Sequence, residues 1–79
     1  MTESFSLFSK VVLTQDFPEQ NLQRGATGII VEHYPMTDQE DGYSIEGFDI
    51  PEITLEVRRS QIMPFSQWQK EQTILQKIH

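Results

Sequence analysis

Residues 25–31 read GATGIIV, two glycines three positions apart running straight into β-branched residues, and this stretch limits what the chain can become more than any other. Glycines so placed raise the question of a phosphate cradle. A P-loop needs G-x-x-x-x-G-K-[ST], with a lysine for the phosphates and a hydroxyl for magnesium, and a dinucleotide-binding turn needs glycines that open a helix. Here Gly28 leads into Ile29, Ile30 and Val31 with no lysine nearby, so neither pattern is met. The alternative is structural. Gly25 takes a positive backbone torsion in the turn after Leu22, and Gly28 lets a strongly bent strand begin where another segment passes close by. Bends of this kind build small barrels.

The rest of the chain reads the same way. KVVLT at 10–14 is apolar and β-branched and runs into QDFPEQ, whose Asp16 and Pro18 form turns, which gives a first strand and a loop. TGIIVEHY at 27–34 is the second strand, ended by Pro35 because proline cannot donate to a ladder. The polar stretch MTDQEDG closes in Asp-Gly, and alternation resumes at Tyr43, Ile45 and Phe48, so strands two and three form a hairpin with an acidic tip. Ile53, Leu55 and Val57 alternate with Thr54, Glu56 and Arg58, which predicts a fourth strand with one wet face. RRSQ reads as a single helical turn and IMPF as a short fifth strand. Ser66 and Gln69 match a capping box, and Trp68, Leu75 and Ile78 recur at helical spacing. A helix this short needs its apolar stripe packed, on its own barrel or on a second copy in a homodimer. The expected organisation is a flexible N-terminus over 1–9, a barrel over 10–64 and a helix over 65–79.

The order strand, polar loop, LQRGATGIIV, acidic hairpin and ITLEVRRSQIMP resembles a family of small uncharacterised bacterial proteins, and more loosely the KOW and SH3-type barrels. The matching positions are Leu22, Gly25, Gly28, Ile30 or Val31, Ile62 and Pro64, and the resemblance spans roughly residues 10–64. It implies a mainly β fold, a five-stranded SH3-like barrel followed by the C-terminal helix. It carries no catalytic residue across, since small barrels host many activities.

Charge narrows the function classes. Of the 79 residues, 1–57 hold eleven acids against Lys10 and Arg24, whereas 58–79 hold Arg58, Arg59, Lys70 and Lys77 against Glu71. An acidic body of this kind repels a polyanion, because nucleic-acid affinity comes largely from neutralising phosphates. A KOW-type nucleic-acid domain is therefore the weaker expectation. With no cysteine there is neither a disulfide framework nor a thiolate nucleophile, which fits a reducing cytoplasm. No signal peptide and no apolar run long enough to span a membrane is read from the sequence.

Chemical constellations fail on spacing. Asp38, Glu40 and Asp41 before Gly42 invite a calcium loop, but the sixth position from Asp38 is Tyr43 and the twelfth is Asp49, where an EF-hand needs glycine and glutamate. His33 and His79 would have to converge with a carboxylate to bind a metal, and a Ser-His-Asp triad needs a pocket this chain has little room for. No enzyme activity and no cofactor is expected. What remains is recognition. Glu32, Asp38, Glu40, Asp41, Glu46, Asp49 and Glu52 fall within 21 residues free of lysine and arginine. Of Tyr34, Tyr43, Phe48 and Trp68, two or three are expected to fill the core, and Tyr43 or Phe48 is the expected apolar anchor. The expected contact set is Asp38, Glu40, Asp41, Tyr43, Glu46, Phe48 and Asp49, meeting a protein partner with a basic surface. An acidic antitoxin or immunity-like protein masking a basic partner would use the same chemistry.

Overall fold

The computed structural model describes residues 5–51 and 54–78, the side chains of 76–78 excepted. Five strands form one antiparallel sheet: β1 (Lys10–Leu13), β2 (Thr27–Tyr34), β3 (Gly42–Glu46), β4 (Leu55–Arg58) and β5 (Ile62–Pro64), in the order β4-β3-β2-β1-β5. The helix α1 (Phe65–Ile78) follows directly. The mainly β class, the strand count and the terminal helix are those the sequence predicts. Closure is not. β4 and β5 are the outer strands and no ladder joins them among the described residues, so the sheet is open. Only a single 3-10 turn, Arg59–Gln61, separates the two, and its Gln61 Oε1 accepts the Arg58 N–H at 2.8 Å, occupying an edge group that closure would need.

One face of the sheet wraps a core of Val11, Leu13, Ile30, Tyr43, Ile45, Leu55, Val57 and Ile62, capped by Leu22 and Ile50 from the loops. Alternation explains the selection, since residues two apart on a strand share a face. On β1, Lys10 and Val12 take the other side, and the Lys10 Nζ lies 4.0 Å from the centre of the Phe65 ring, so α1 starts over that face. A bulge between Ile30 and Glu32 resets the phase of β2. Ile30 and His33 then share the core side, and Tyr34 turns outward, its hydroxyl 3.0 Å from Ser44 Oγ.

Both glycines behave as read. Gly25 has φ +99, and a Cβ at Gly28 would lie 2.8 Å from Ile50 Cγ1, so the β3–β4 connection is the segment that passes close by. Residues 5–9, expected as part of a flexible lead, are tied down: the Phe5 N–H donates to Tyr43 Oη, the Phe8 N–H to the Ile30 carbonyl, and the Ile30 N–H to the Ser9 carbonyl. α1 begins at Phe65, which puts Ser66 inside the first turn rather than at the cap. Ile53, counted in the alternation of strand four, lies outside the described residues, as do Glu52 and His79.

Candidate functional site

The hairpin tip between β2 and β3 turns Asp41 onto its own backbone and Glu40 onto the β4–β5 connection. Asp41 Oδ1 accepts the Met36 N–H at 3.1 Å, and Asp41 Oδ2 lies 2.8 Å from His33 Nε2. His33 in turn stacks on the Tyr43 ring, centroids 4.8 Å apart and nearly parallel. Glu40 reaches the 3-10 turn, accepting both the Ser60 N–H and the Ser60 hydroxyl. The Arg59 N–H donates to the Asp41 carbonyl. Hydrogen bonds to the ionised form favour it. The His33 ring and then the Met36 amide hold the Asp41 carboxyl below its ordinary range, and the Ser60 amide and hydroxyl do the same for Glu40, with Arg58 and Arg59 adding to it. The tip is a clasp between the hairpin and the β4–β5 connection. Asp38 stands exposed outside it.

At the other end of β3 the chain makes a different turn. Gly47 and Phe48 both take the left-handed conformation, φ +83 and +50. Asp49 closes the turn, its Oδ2 accepting the Thr27 N–H and hydroxyl while its own N–H donates to the Thr27 carbonyl. Ile50 then enters the core. The result is a Phe48 ring 65 % exposed, with the Lys10 Nζ 4.3 Å from its centroid. Lys10 sits between the Phe48 and Phe65 rings, an arrangement in which ring faces attract an ammonium group. Glu46, the last residue of β3, is exposed beside this turn.

Residues 7–64 match DUF4926, described as a domain of unknown function. The chain belongs to this family. An uncharacterised family is what the Leu22, Gly25, Gly28 and Pro64 pattern suggests, and the DUF4926 span takes in all five strands and ends where α1 begins. No curated protein and no solved structure matches the chain.

Within the DUF4926 span the structure divides the expected contact set. Tyr43 is withdrawn from it. The side chain is completely buried in the core, because β3 needs an apolar residue opposite Val57 and the hydroxyl finds its partner in the Phe5 N–H. Phe48 stays available, though not as part of a strand, since β3 ends at Glu46. Glu40, Asp41 and Asp49 have internal partners, while Asp38 and Glu46 face solvent. Outside the span, Trp68 is half-buried against Gly25, with Arg24 over its ring, whereas Leu75 is 52 % exposed and the Ile78 side chain lies outside the described residues. Of the stripe's described side chains, Trp68 packs against the Gly25 turn and Leu75 does not.

Sequence reasoning passed over two features. Phe8 is 72 % exposed with φ +66, a conformation the letter F does not announce. The His33–Asp41 pair depends on the bulge in β2, for which the sequence carries no signal. Among the described residues there is no group of three or more His, Cys, Asp or Glu placed to hold a metal, and no helix long and apolar enough to cross a membrane.

Proposed function

We propose that this chain is a small binding module that works without catalysis, taking a protein partner with a basic surface at the turn after β3, with Phe48 as the apolar anchor. Phe48 carries the reading. A bulky residue in left-handed backbone costs about 1–2 kcal/mol, and strained residues of this kind cluster at binding sites. Here the strain holds an aromatic ring out in solvent, where it adds little to the core. Aromatics at interfaces supply most of the affinity, and the exposed Glu32, Asp38 and Glu46 supply a negative field that steers a basic surface towards it. The same chemistry serves an antitoxin or immunity-like role in the cytoplasm, in which the basic surface masked is a partner's active site.

The test is capture from a lysate of the source cell on the immobilised protein, at low and at raised salt. Wild type is expected to retain a basic protein with salt-dependent kinetics. Phe48→Ala should abolish retention, and Glu32→Lys, Asp38→Lys and Glu46→Lys together should slow association. Glu40 and Asp41 are left intact because reversing them would open the clasp. Retention of nucleic acid instead of protein would replace this reading with the KOW-type one, and equal capture by wild type and Phe48→Ala would end it.

A further inference from the structure

A cleft of about 540 Å³ opens between the β1–β2 loop and the outer strand β4, lined by Glu19, Gln20, Leu22, Ile50, Leu55 and Glu56 among others. We infer that it receives a lysine or arginine side chain from an extended segment of the partner protein. The inference rests on the reading of a basic partner and adds a second contact to the one at Phe48.

The cleft has two parts with different chemistry. Its floor is Leu22, Ile50 and Leu55, all buried core residues whose outer surfaces face the opening. Its rim carries the exposed carboxylates Glu19 and Glu56, and no lysine, arginine or histidine lines it among the described residues. Glu40, Asp41 and Asp49 all accept internal hydrogen bonds, whereas Glu19 and Glu56 have no hydrogen bond or ion pair among the described residues. Long basic side chains match this division, because their methylene stems cover apolar surface while the charged head stays at a polar rim. A bare cation does not match. Calcium takes six to eight oxygens, and the cleft offers two carboxylates and no group of three or more ligating residues among the described residues.

An extended segment fits for a backbone reason. β4 is the outermost strand on this side, and sheet edges accept added strands. The Arg58 N–H, which points away from β3, is already taken by Gln61 Oε1. An incoming segment is thus confined to the edge beside Glu56, at the mouth of the cleft. The cleft also lies within the range of about 300–1,000 Å³ usual for ligand sites, larger than one side chain, which leaves room for the residues flanking the basic one.

The experiment is an NMR titration of the full isotope-labelled chain with an acetylated, amidated Val-Arg-Val tripeptide. Two controls are run, the same peptide with norleucine for arginine, and calcium chloride alone. The arginine peptide should shift the amides of Gln20, Leu22, Thr54 and Glu56, and the norleucine peptide should bind more weakly. Glu19→Gln with Glu56→Gln should weaken the arginine peptide about fivefold or more, as loss of both rim charges implies. Both carboxylates are exposed, so the variant's remaining spectrum should overlay that of wild type. Equal response to the two peptides, an unchanged affinity in the double variant, or the same shifts from calcium would overturn the inference. Failure here is separable from failure of the module itself. If the peptide leaves the cleft unshifted while Phe48→Ala still abolishes capture from lysate, the cleft is wrong and the module stands. If capture survives Phe48→Ala but not the double variant, the cleft is right and the Phe48 anchor is wrong.

Discussion

Both ends of β3 tie acids to neighbouring donors, yet they leave different surfaces. At the tip, Glu40 and Asp41 face inward along the backbone and fasten the hairpin to the 3-10 turn. At the turn after Glu46, Asp49 alone closes the loop, and the strain it locks in pushes Phe48 outward. Acid density in a sequence therefore does not locate a recognition surface. A carboxylate with two internal donors is part of the scaffold, and the exposed residue beside Asp49 is Phe48. Tyr43 and Phe48 show the same point: the first lies inside β3 and is buried, and the second lies in the left-handed turn beyond the strand's end and is mostly exposed.

The largest expected effect comes from the glycine beneath the turn. In Gly28→Val a Cβ would lie 2.8 Å from Ile50 Cγ1 and 3.4 Å from the Glu46 carbonyl, and Ile50 is a buried core residue with little room to move. Overpacking of this kind costs about 1–3 kcal/mol, and the second methyl of valine places this case at the upper end. Gln39→Ala, on the exposed tip, should stay within about 0.5 kcal/mol. Thermal unfolding of both variants checks the contrast. Melting temperatures that coincide would remove close packing as the reason the turn is held.

A smaller effect separates the halves of α1. Trp68 is half-buried on the Gly25 turn, so Trp68→Ala should lower stability by about 1–2 kcal/mol, less than for a core aromatic. Leu75→Ala should cost under about 0.5 kcal/mol in a monomer, because the side chain is more than half exposed. Sedimentation of wild type decides what that exposed half does. A dimer that Leu75→Ala dissociates would make α1 a pairing surface, and a monomer would leave it projecting.

The clasp should reveal itself through pH. Glu40 and Asp41 hold protons less tightly when folded than their ordinary values of 4.5 and 3.8, so the unfolded chain binds more protons in that range. Stability is then fully present above about pH 5 and declines as the pH falls through those values and below them. Glu40→Gln together with Asp41→Asn should lower the melting temperature at neutral pH and flatten the decline on the acid side. A double variant with the acid limb of wild type would show that these hydrogen bonds do not hold the tip.

How far these regions could be read in advance follows from what a one-letter code encodes. Gly25 and Gly28 announced both turn and close approach, since only glycine tolerates what surrounds them. The strands from KVVLT to IMPF were legible from alternation and turn residues, and the 3-10 turn from RRSQ. The open edge was not, because alternation and turn residues place strands without saying whether the outer two, β4 and β5, pair. The surface was harder again. The burial of Tyr43 and the exposure of Phe48 both depend on where β3 ends, and β3 ends at two left-handed residues of which only Gly47 is a glycine. Glu19 and Glu56 are distant in sequence, and only the fold brings the β1–β2 loop and β4 to one cleft.

A small expected change in stability belongs to the residue with the largest expected change in binding. Phe48→Gly relieves a left-handed aromatic residue, a gain of about 1 kcal/mol, and gives some of it back through the greater freedom of glycine in the unfolded chain. It also loses the contact with the Lys10 ammonium, which at an exposed site contributes about 0.5–1 kcal/mol. The terms nearly cancel, so the melting temperature should move by no more than about 0.5 kcal/mol would produce, in either direction. Partner capture should nonetheless disappear. Phe48→Leu is the sharper companion, since it keeps apolar area and backbone strain but removes the ring, and retention of part of the binding would assign the remainder to the aromatic face. A Phe48→Gly variant that unfolds several degrees below wild type would mean that the ring holds the turn together through Lys10 and Phe65, and the contrast between a scaffold tip and a presenting turn would fail at its second half.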